Sequence, residues 1–434
     1  MENKFLKAAG KFYFVAVAVL MYYFISQIID IGLFVTYRHA FALVLTASVF
    51  FTFLYKPNIA RGAVALKSAF LYCVPLVVTI VVSLFIWFVV QADTSVISRG
   101  LSSSFIYTNM FSFAFAAVAF LYIFGEKGIW YNLIAILISN IIMICTVIAQ
   151  YGFGNYMSEF IALVTSFAAE TGDIIVQAEV HELAFCLGAY LIYMLLKPKK
   201  NIVFFILLAL TLFCFVSAFK RIGIIAIVIA LALGWVLNFI AKFKEDTARA
   251  LAITLSIVLV VVLIGYIAII KMDAFAALEE MGIDTSGRVE IYDEVDKYYE
   301  FSPEFLGNGI GFLTYKLSTT DNLEVVAVHN DFLQYFVDLG FWGYILWLAS
   351  MTVVRVWRFG GKGYTDNAII TFALSVYLVI VSSTDNTVNY PLLTTVLAII
   401  MIGHGFDDRV RQTELKIFGY ISNDNKETKG GGIL

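Results

Sequence analysis

Two neighbouring stretches decide the fold: RIGIIAIVIALALGWVLNFIA at residues 221–241 and ALAITLSIVLVVVLIGYIAII at residues 250–270. Each is a long apolar run with basic residues at its borders, Lys220, Arg221 and Lys242 around the first and Arg249 and Lys271 around the second. A helix rises about 1.5 Å per residue, so about 20 such residues cross the hydrocarbon core of a bilayer. Working outward from this pair, comparable runs recur near residues 12–34, 39–55, 67–90, 102–124, 129–150, 180–196, 202–218, 331–354, 367–384 and 390–405. The runs at 39–55 and 390–405 are short. The chain is 61% hydrophobic and 14% charged, whereas a soluble domain carries roughly 25% charged residues. These features predict an all-α integral membrane protein with about 12 transmembrane helices. The net charge of −3 gives no reason to expect a nucleic-acid partner. Cys73, Cys145, Cys186 and Cys214 lie inside apolar runs without CxxC spacing, and read as small buried apolar residues. The N-terminal run follows a basic start and has no small-residue cleavage site, so it reads as a first span.

Charge distribution tests the topology. With a cytoplasmic N-terminus and alternating spans, all but eight of the 29 basic residues fall on the cytoplasmic side. The eight are Arg38, Arg99, Lys220, Arg221, Lys271, Arg288, Lys297 and Lys316. Such a bias is the positive-inside pattern, and it predicts that both termini are cytoplasmic. The resulting organisation is a membrane domain of nine spans over 1–271, a large extracytoplasmic loop over 272–329, three spans over 330–408, and a cytoplasmic tail over 409–434. The large loop carries twelve acidic and three basic residues, so it is the main soluble element. Within it, Val289, Ile291, Tyr292, Val295, Tyr298 and Tyr299 recur at helical spacing. A glycine-rich turn, Gly307-Asn308-Gly309-Ile310-Gly311, follows. A second outer segment, 151–179, includes the short apolar stretch Tyr156 to Ala169, which is expected to lie on the outer surface or re-enter. The polar, Gly-rich tail from Asn423 reads as disordered.

Ionisable residues in or beside a membrane are costly and mark function by default. The outer boundary collects Lys220 and Arg221, Arg288, His181-Glu182, and His329-Asn330-Asp331 at the start of the tenth span. Arginine stays charged and pairs phosphate oxygens bidentately. Histidine is the usual base near neutral pH. Two arginines and a histidine on one membrane face suit transfer of a group from a lipid diphosphate to a hydroxyl, without a metal. Against this, a basic residue at a helix end is commonly an interfacial anchor, and the acidic loop is most simply a solvated face. That loop lacks the spacing of a calcium loop, and the glycine cluster has no Walker lysine and is not GxGxxG after a strand.

Several blocks resemble the O-antigen polymerase and ligase superfamily. His329-Asn330-Asp331-Phe332-Leu333 through Gly340-Phe341-Trp342-Gly343 resembles its HN-x-x-L…G-x-x-G signature. Gly307 to Phe312 resembles its G-x-G-x-G turn, Gly287-Arg288 with Tyr292 its GR-x-x-x-[WY] segment, and Ser217 to Gly223 its S-x-x-x-R-x-G stretch. Val180 to Phe185 looks like the start of a span in capsular polymerases of the Wzy type. The order of the motifs, with a large outer loop between spans nine and ten, is more specific than any one of them. The resemblance covers about residues 180–345. It implies a metal-independent membrane glycosyltransferase without a cofactor, using undecaprenyl-diphosphate-linked oligosaccharide as donor and acceptor at the extracytoplasmic face of the bacterial cytoplasmic membrane, and inverting the anomeric configuration. It also implies His329 as base, Arg221 and Arg288 on the diphosphate, Lys220, His181, Asn330 and Gly309 as substrate-binding residues, and a partner that sets chain length. Repeat-unit polymerisation is the leading expectation. A ligase uses the same residues. A lipid-linked oligosaccharide flippase or a small-solute transporter would need charges deep in the bundle and related halves, and no internal repeat is present.

Overall fold

The computed structural model describes residues 57–91, 111–166, 181–199, 201–218, 220–281, 288–319, 328–387 and 390–427, together with 11–13, 15–20, 22, 23, 47 and 50. Among the described residues, every regular element is helical. Five helices are long and apolar enough to cross a membrane, or up to seven if each of two bent pairs is one span. This agrees with an all-α membrane protein. The runs at 12–34 and 39–55 and the start of that at 102–124 lie largely outside the described residues.

The first bent pair is α1 (Ile59–Tyr72) and α2 (Val74–Phe85), which meet at 48°. Asn58 caps α1 by accepting from the Arg61 amide at 2.8 Å. Pro75 lacks an N–H and sits in the first turn of α2, so the chain breaks at Cys73. The loop anticipated between 55 and 67 is therefore mostly helix. Residues 111–124 form α3, and Gly125 (φ 62) turns the chain into α4 (Gly128–Tyr151). Gly152 (φ 89) then reverses it into α5 (Phe153–Ser166). Tyr156 of α5 packs with Ile144 and Val147 of α4. The stretch expected to lie flat or re-enter thus folds back along its predecessor.

Next come α6 (His181–Leu196), α7 (Ile202–Ser217), α8 (Arg221–Ala241) and α9 (Glu245–Lys271). Three short helices follow: α10 (Ala274–Glu280), α11 (Arg288–Asp296) and α12 (Phe312–Ser318). The spacing of apolar residues after Arg288 thus corresponds to a real helix. The chain then re-enters the bundle as α13 (Asp331–Ala349), which continues to Phe359. It returns as α14 (Thr365–Ser382) and ends in the second bent pair, α15 (Pro391–Gly403) and α16 (Phe406–Glu427), at 52°. Helix α16 runs into the polar tail that reads as disordered from sequence.

Helix α14 is the centre of the bundle, with 89% of its span buried, whereas α8 and α9 are 33% and 28% buried. The exposed faces of the latter two carry Val228, Trp235, Val236 and Phe239, and Ile257, Val261 and Val262. They are apolar on both sides, as lipid-facing helices are. Gly234 of α8 packs against Ala373 of α14 and Leu196 of α6, and Tyr377 of α14 reaches the Phe185 carbonyl of α6 at 3.0 Å. Helices α6 and α8 are therefore parallel to each other and antiparallel to α14. The first residues of α6 and α8 lie at the end of the bundle where α14 finishes.

Candidate functional site

At that end, helix α13 begins with His329 and Asn330. Asn330 is fully buried and every polar atom of its side chain is engaged. Its Oδ1 accepts from the amides of Phe332 and Leu333 at 3.1 Å each, which is an N-cap. Its Nδ2 donates to the hydroxyls of Tyr266 on α9 and Tyr292 on α11, both at 3.0 Å. Asn330 therefore ties three helices together, a structural task beside the substrate-binding role expected of it from sequence. Burial pushes the Tyr292 hydroxyl up, against the opposing pull of the Asn330 bond and the Arg288 charge.

His329, one residue earlier, sits at φ 50 in the left-handed region. That conformation costs roughly 1–2 kcal/mol for a residue with a Cβ, and such strain clusters at functional positions. Its side chain is 45% exposed, in contrast to its buried neighbours. Nδ1 lies 3.9 Å from Oδ1 of Asp385, which is only 13% exposed. This is too long for a hydrogen bond and short enough for charge attraction. Asp385 also accepts from the Tyr390 hydroxyl at 2.8 Å. Burial, and then the Asp385 charge, hold the Tyr390 hydroxyl well above its ordinary range, so it stays a donor.

Arg288 opens α11, with Tyr292 one turn later on the same face. Its Nη2 donates to the Thr384 carbonyl at 3.1 Å, one residue before Asp385. Its Nε is buried and has no hydrogen-bond partner among the described residues. The short link between α14 and α15 thus holds both the cation and the carboxylate facing His329. The same link carries Thr387, which donates to Asp331 at 3.2 Å. Glu182 of α6 accepts from the Leu392 amide at 2.5 Å and caps α15. His181 opens α6, but its side chain lies outside the described residues.

Lys220 and Arg221 stand at the start of α8, the lysine partly exposed and the arginine exposed. The tight α7–α8 corner depends on Gly223, where a Cβ would press on the Phe215 ring at 3.3 Å. The Gly234–Ala373 pairing with antiparallel helices brings Arg221 to the level of the α14–α15 link. The N-termini of α6, α11, α13 and α15 meet around this link, with α8 beginning at the same level, and helix N-termini favour anions.

The glycine turn has a different task. Helix α13 is broken at Gly340 (φ 70, ψ 180). Irregular backbone at membrane depth survives only where protein satisfies it. Gly307, Gly309 and Gly311 all have positive φ, and a Cβ on Gly307 would overlap the Gly340 amide. The Gly309 amide donates to the Asp338 carbonyl at 2.7 Å. The Gly311 and Leu313 amides donate to the Asp338 carboxylate at 2.9 and 3.1 Å. The Ile310 amide meets Ser83 Oγ at 3.0 Å, and the Phe341 amide meets the Phe305 carbonyl at 2.9 Å. Gly309 is thus part of a clamp on the broken helix, with its own amide occupied.

Sequence reasoning missed Asp385, Tyr390 and Thr387. The signal was present in the polar run Ser382-Ser383-Thr384-Asp385-Asn386-Thr387 between two apolar spans. Among the described residues, no cluster of three or more His, Cys, Asp or Glu could hold a metal ion.

Residues 204–348 match the O-antigen ligase family, Wzy_C. This agrees with the resemblance to the O-antigen polymerase and ligase superfamily. The matched segment contains Arg221, Arg288, the glycine turn, His329 and Asn330, and stops before Asp385. No curated protein matches the chain.

Proposed function

We propose that the protein is a membrane glycosyltransferase that polymerises undecaprenyl-diphosphate-linked oligosaccharide repeat units on the outer face of the bacterial cytoplasmic membrane. The observation that carries this reading is the arrangement around the α14–α15 link: an exposed, strained His329 facing Asp385, with Arg288 anchored at Thr384.

In this reading a hydroxyl of the acceptor glycan attacks the anomeric carbon of the donor. The new C–O bond forms as the bond from that carbon to the diphosphate oxygen breaks. The hydroxyl proton passes to His329 Nε2, the ring nitrogen that does not face Asp385. Undecaprenyl diphosphate leaves with the electron pair. Arg288 and Arg221, with the converging helix N-termini, stabilise the charge that grows on the leaving group. Asp385, itself fixed by Tyr390, orients the imidazole by charge, and Asn330 holds the backbone beneath it. Attack opposite the leaving group inverts the anomeric configuration. No metal takes part in these steps.

A second reading is favoured by one observation, the description of the matching family as O-antigen ligase. There the same chemistry moves a finished glycan to a lipid or protein acceptor. Incubation of purified protein with a lipid-linked repeat unit separates the two. A ladder of lengthening lipid-linked products supports polymerisation. Transfer only after a second acceptor is added supports ligation. Movement of the lipid across liposomes without transfer overturns both.

A further inference from the structure

A cavity of about 1310 Å³ opens at the opposite end of the bundle, where the charge distribution assigns the cytoplasmic side. It lies between the C-terminal ends of α6 and α8, the start of α14 and the bend from α15 to α16. Its wall on the lipid-facing side is formed by Trp235 and Phe239 of α8, which are 52% and 62% exposed. Tryptophan is concentrated at membrane–water boundaries. Its floor is buried protein, including Leu196 and Asn367.

The rim carries charges of both signs. Lys197 pairs with Asp366 at 2.5 Å, and His404 faces Glu126 at 3.5 Å. Two further cations, Lys242 and Arg411, and two further anions, Glu245 and Asp408, line the cavity outside these two pairs, Asp408 also lying in the field of Arg409. A lipid-open aromatic wall beside a rim that carries charges of both signs complements an amphipathic molecule whose head carries both signs.

We propose that this cavity binds a zwitterionic phospholipid with a primary ammonium headgroup. The phosphate is held by Lys242 and Arg411, the ammonium by Glu245 and Asp408, and the glycerol and upper acyl chains lie along Trp235 and Phe239. The size suits this, since the cavity, at about 1310 Å³, exceeds the ~300–1,000 Å³ of sites for small ligands and has room for a headgroup with the first part of two chains.

The test is native mass spectrometry of the full chain released from vesicles of equal phosphatidylethanolamine, phosphatidylglycerol and diacylglycerol. The expected result is preferential retention of phosphatidylethanolamine. Lys242→Ala with Arg411→Ala should reduce that retention about tenfold, the effect of losing charge-assisted bonds. Glu245→Ala with Asp408→Ala should instead shift retention toward phosphatidylglycerol. All four residues are exposed at helix ends, so the variants keep the bundle packing. Soluble glycerophosphoethanolamine, added as competitor, should displace little of the lipid, because it lacks the chains that Trp235 and Phe239 contact. Equal retention of diacylglycerol, preference for phosphatidylglycerol in the wild type, unchanged retention in either double variant, or full displacement by the soluble headgroup would each overturn the proposal.

Discussion

Replacing Asn330 by alanine is the sharpest probe of how the site is built. The substitution removes two bonds that cap α13 and two that reach Tyr266 and Tyr292. Loss of an N-cap costs about 1 kcal/mol. Each lost bond to a buried hydroxyl adds about 0.5–1.5 kcal/mol. Together these give about 2–4 kcal/mol, a large share of the margin of an ordinary domain. Asn330→Asp keeps an oxygen that can accept both capping bonds and loses the two donors, so it should fall between wild type and Asn330→Ala. Thermal unfolding followed by tryptophan fluorescence in detergent ranks the three proteins. Glycan transfer by the folded fraction is then measured over a range of substrate. Asn330 is a positioning residue beneath His329, so kcat should fall while KM stays near the wild-type value. An unchanged unfolding midpoint would refute the reasoning, and a raised KM with unchanged kcat and stability would instead mark Asn330 as a substrate contact.

Three further outcomes follow from the same geometry. Asp338→Ala leaves the Gly311 and Leu313 amides buried and bare, at about 1–3 kcal/mol each, and should lower the unfolding midpoint more than Asp338→Asn; equal midpoints would argue against the clamp. His329→Gly and His329→Ala both remove the imidazole, but glycine relieves the left-handed strain, so His329→Gly should be more stable than His329→Ala by roughly 1 kcal/mol with neither active. Asp385→Asn should lower kcat with little change in the unfolding midpoint, and wild-type turnover in that variant would remove Asp385 from the account.

Helix α8 was legible to the residue because an apolar run ended abruptly at Lys220–Arg221 and Lys242. Helix α1 was not, because Arg61 and Lys67 made 56–66 look like a loop, whereas Asn58 caps a helix that bends only at Pro75. The same limit applies to the site. His329 and Arg288 stood out as charges at span borders. Asp385 did not, because its relation to His329 depends on how α13 and α14 pack, which no local pattern encodes. The glycine turn was visible as a turn, but its partner, the break at Gly340, lies on another element. The structural tasks of Gly309 and Asn330 were hidden for that reason: they rest on backbone groups and hydroxyls that only folding brings close.

The most direct test of the central claim is elongation of a lipid-linked repeat unit by purified protein in EDTA, comparing wild type with folded His329→Ala and Arg288→Ala. The account predicts transfer by the wild type without added metal and its loss in both variants. Undiminished transfer by His329→Ala, or a wild type that transfers only when a divalent cation is restored, would contradict it.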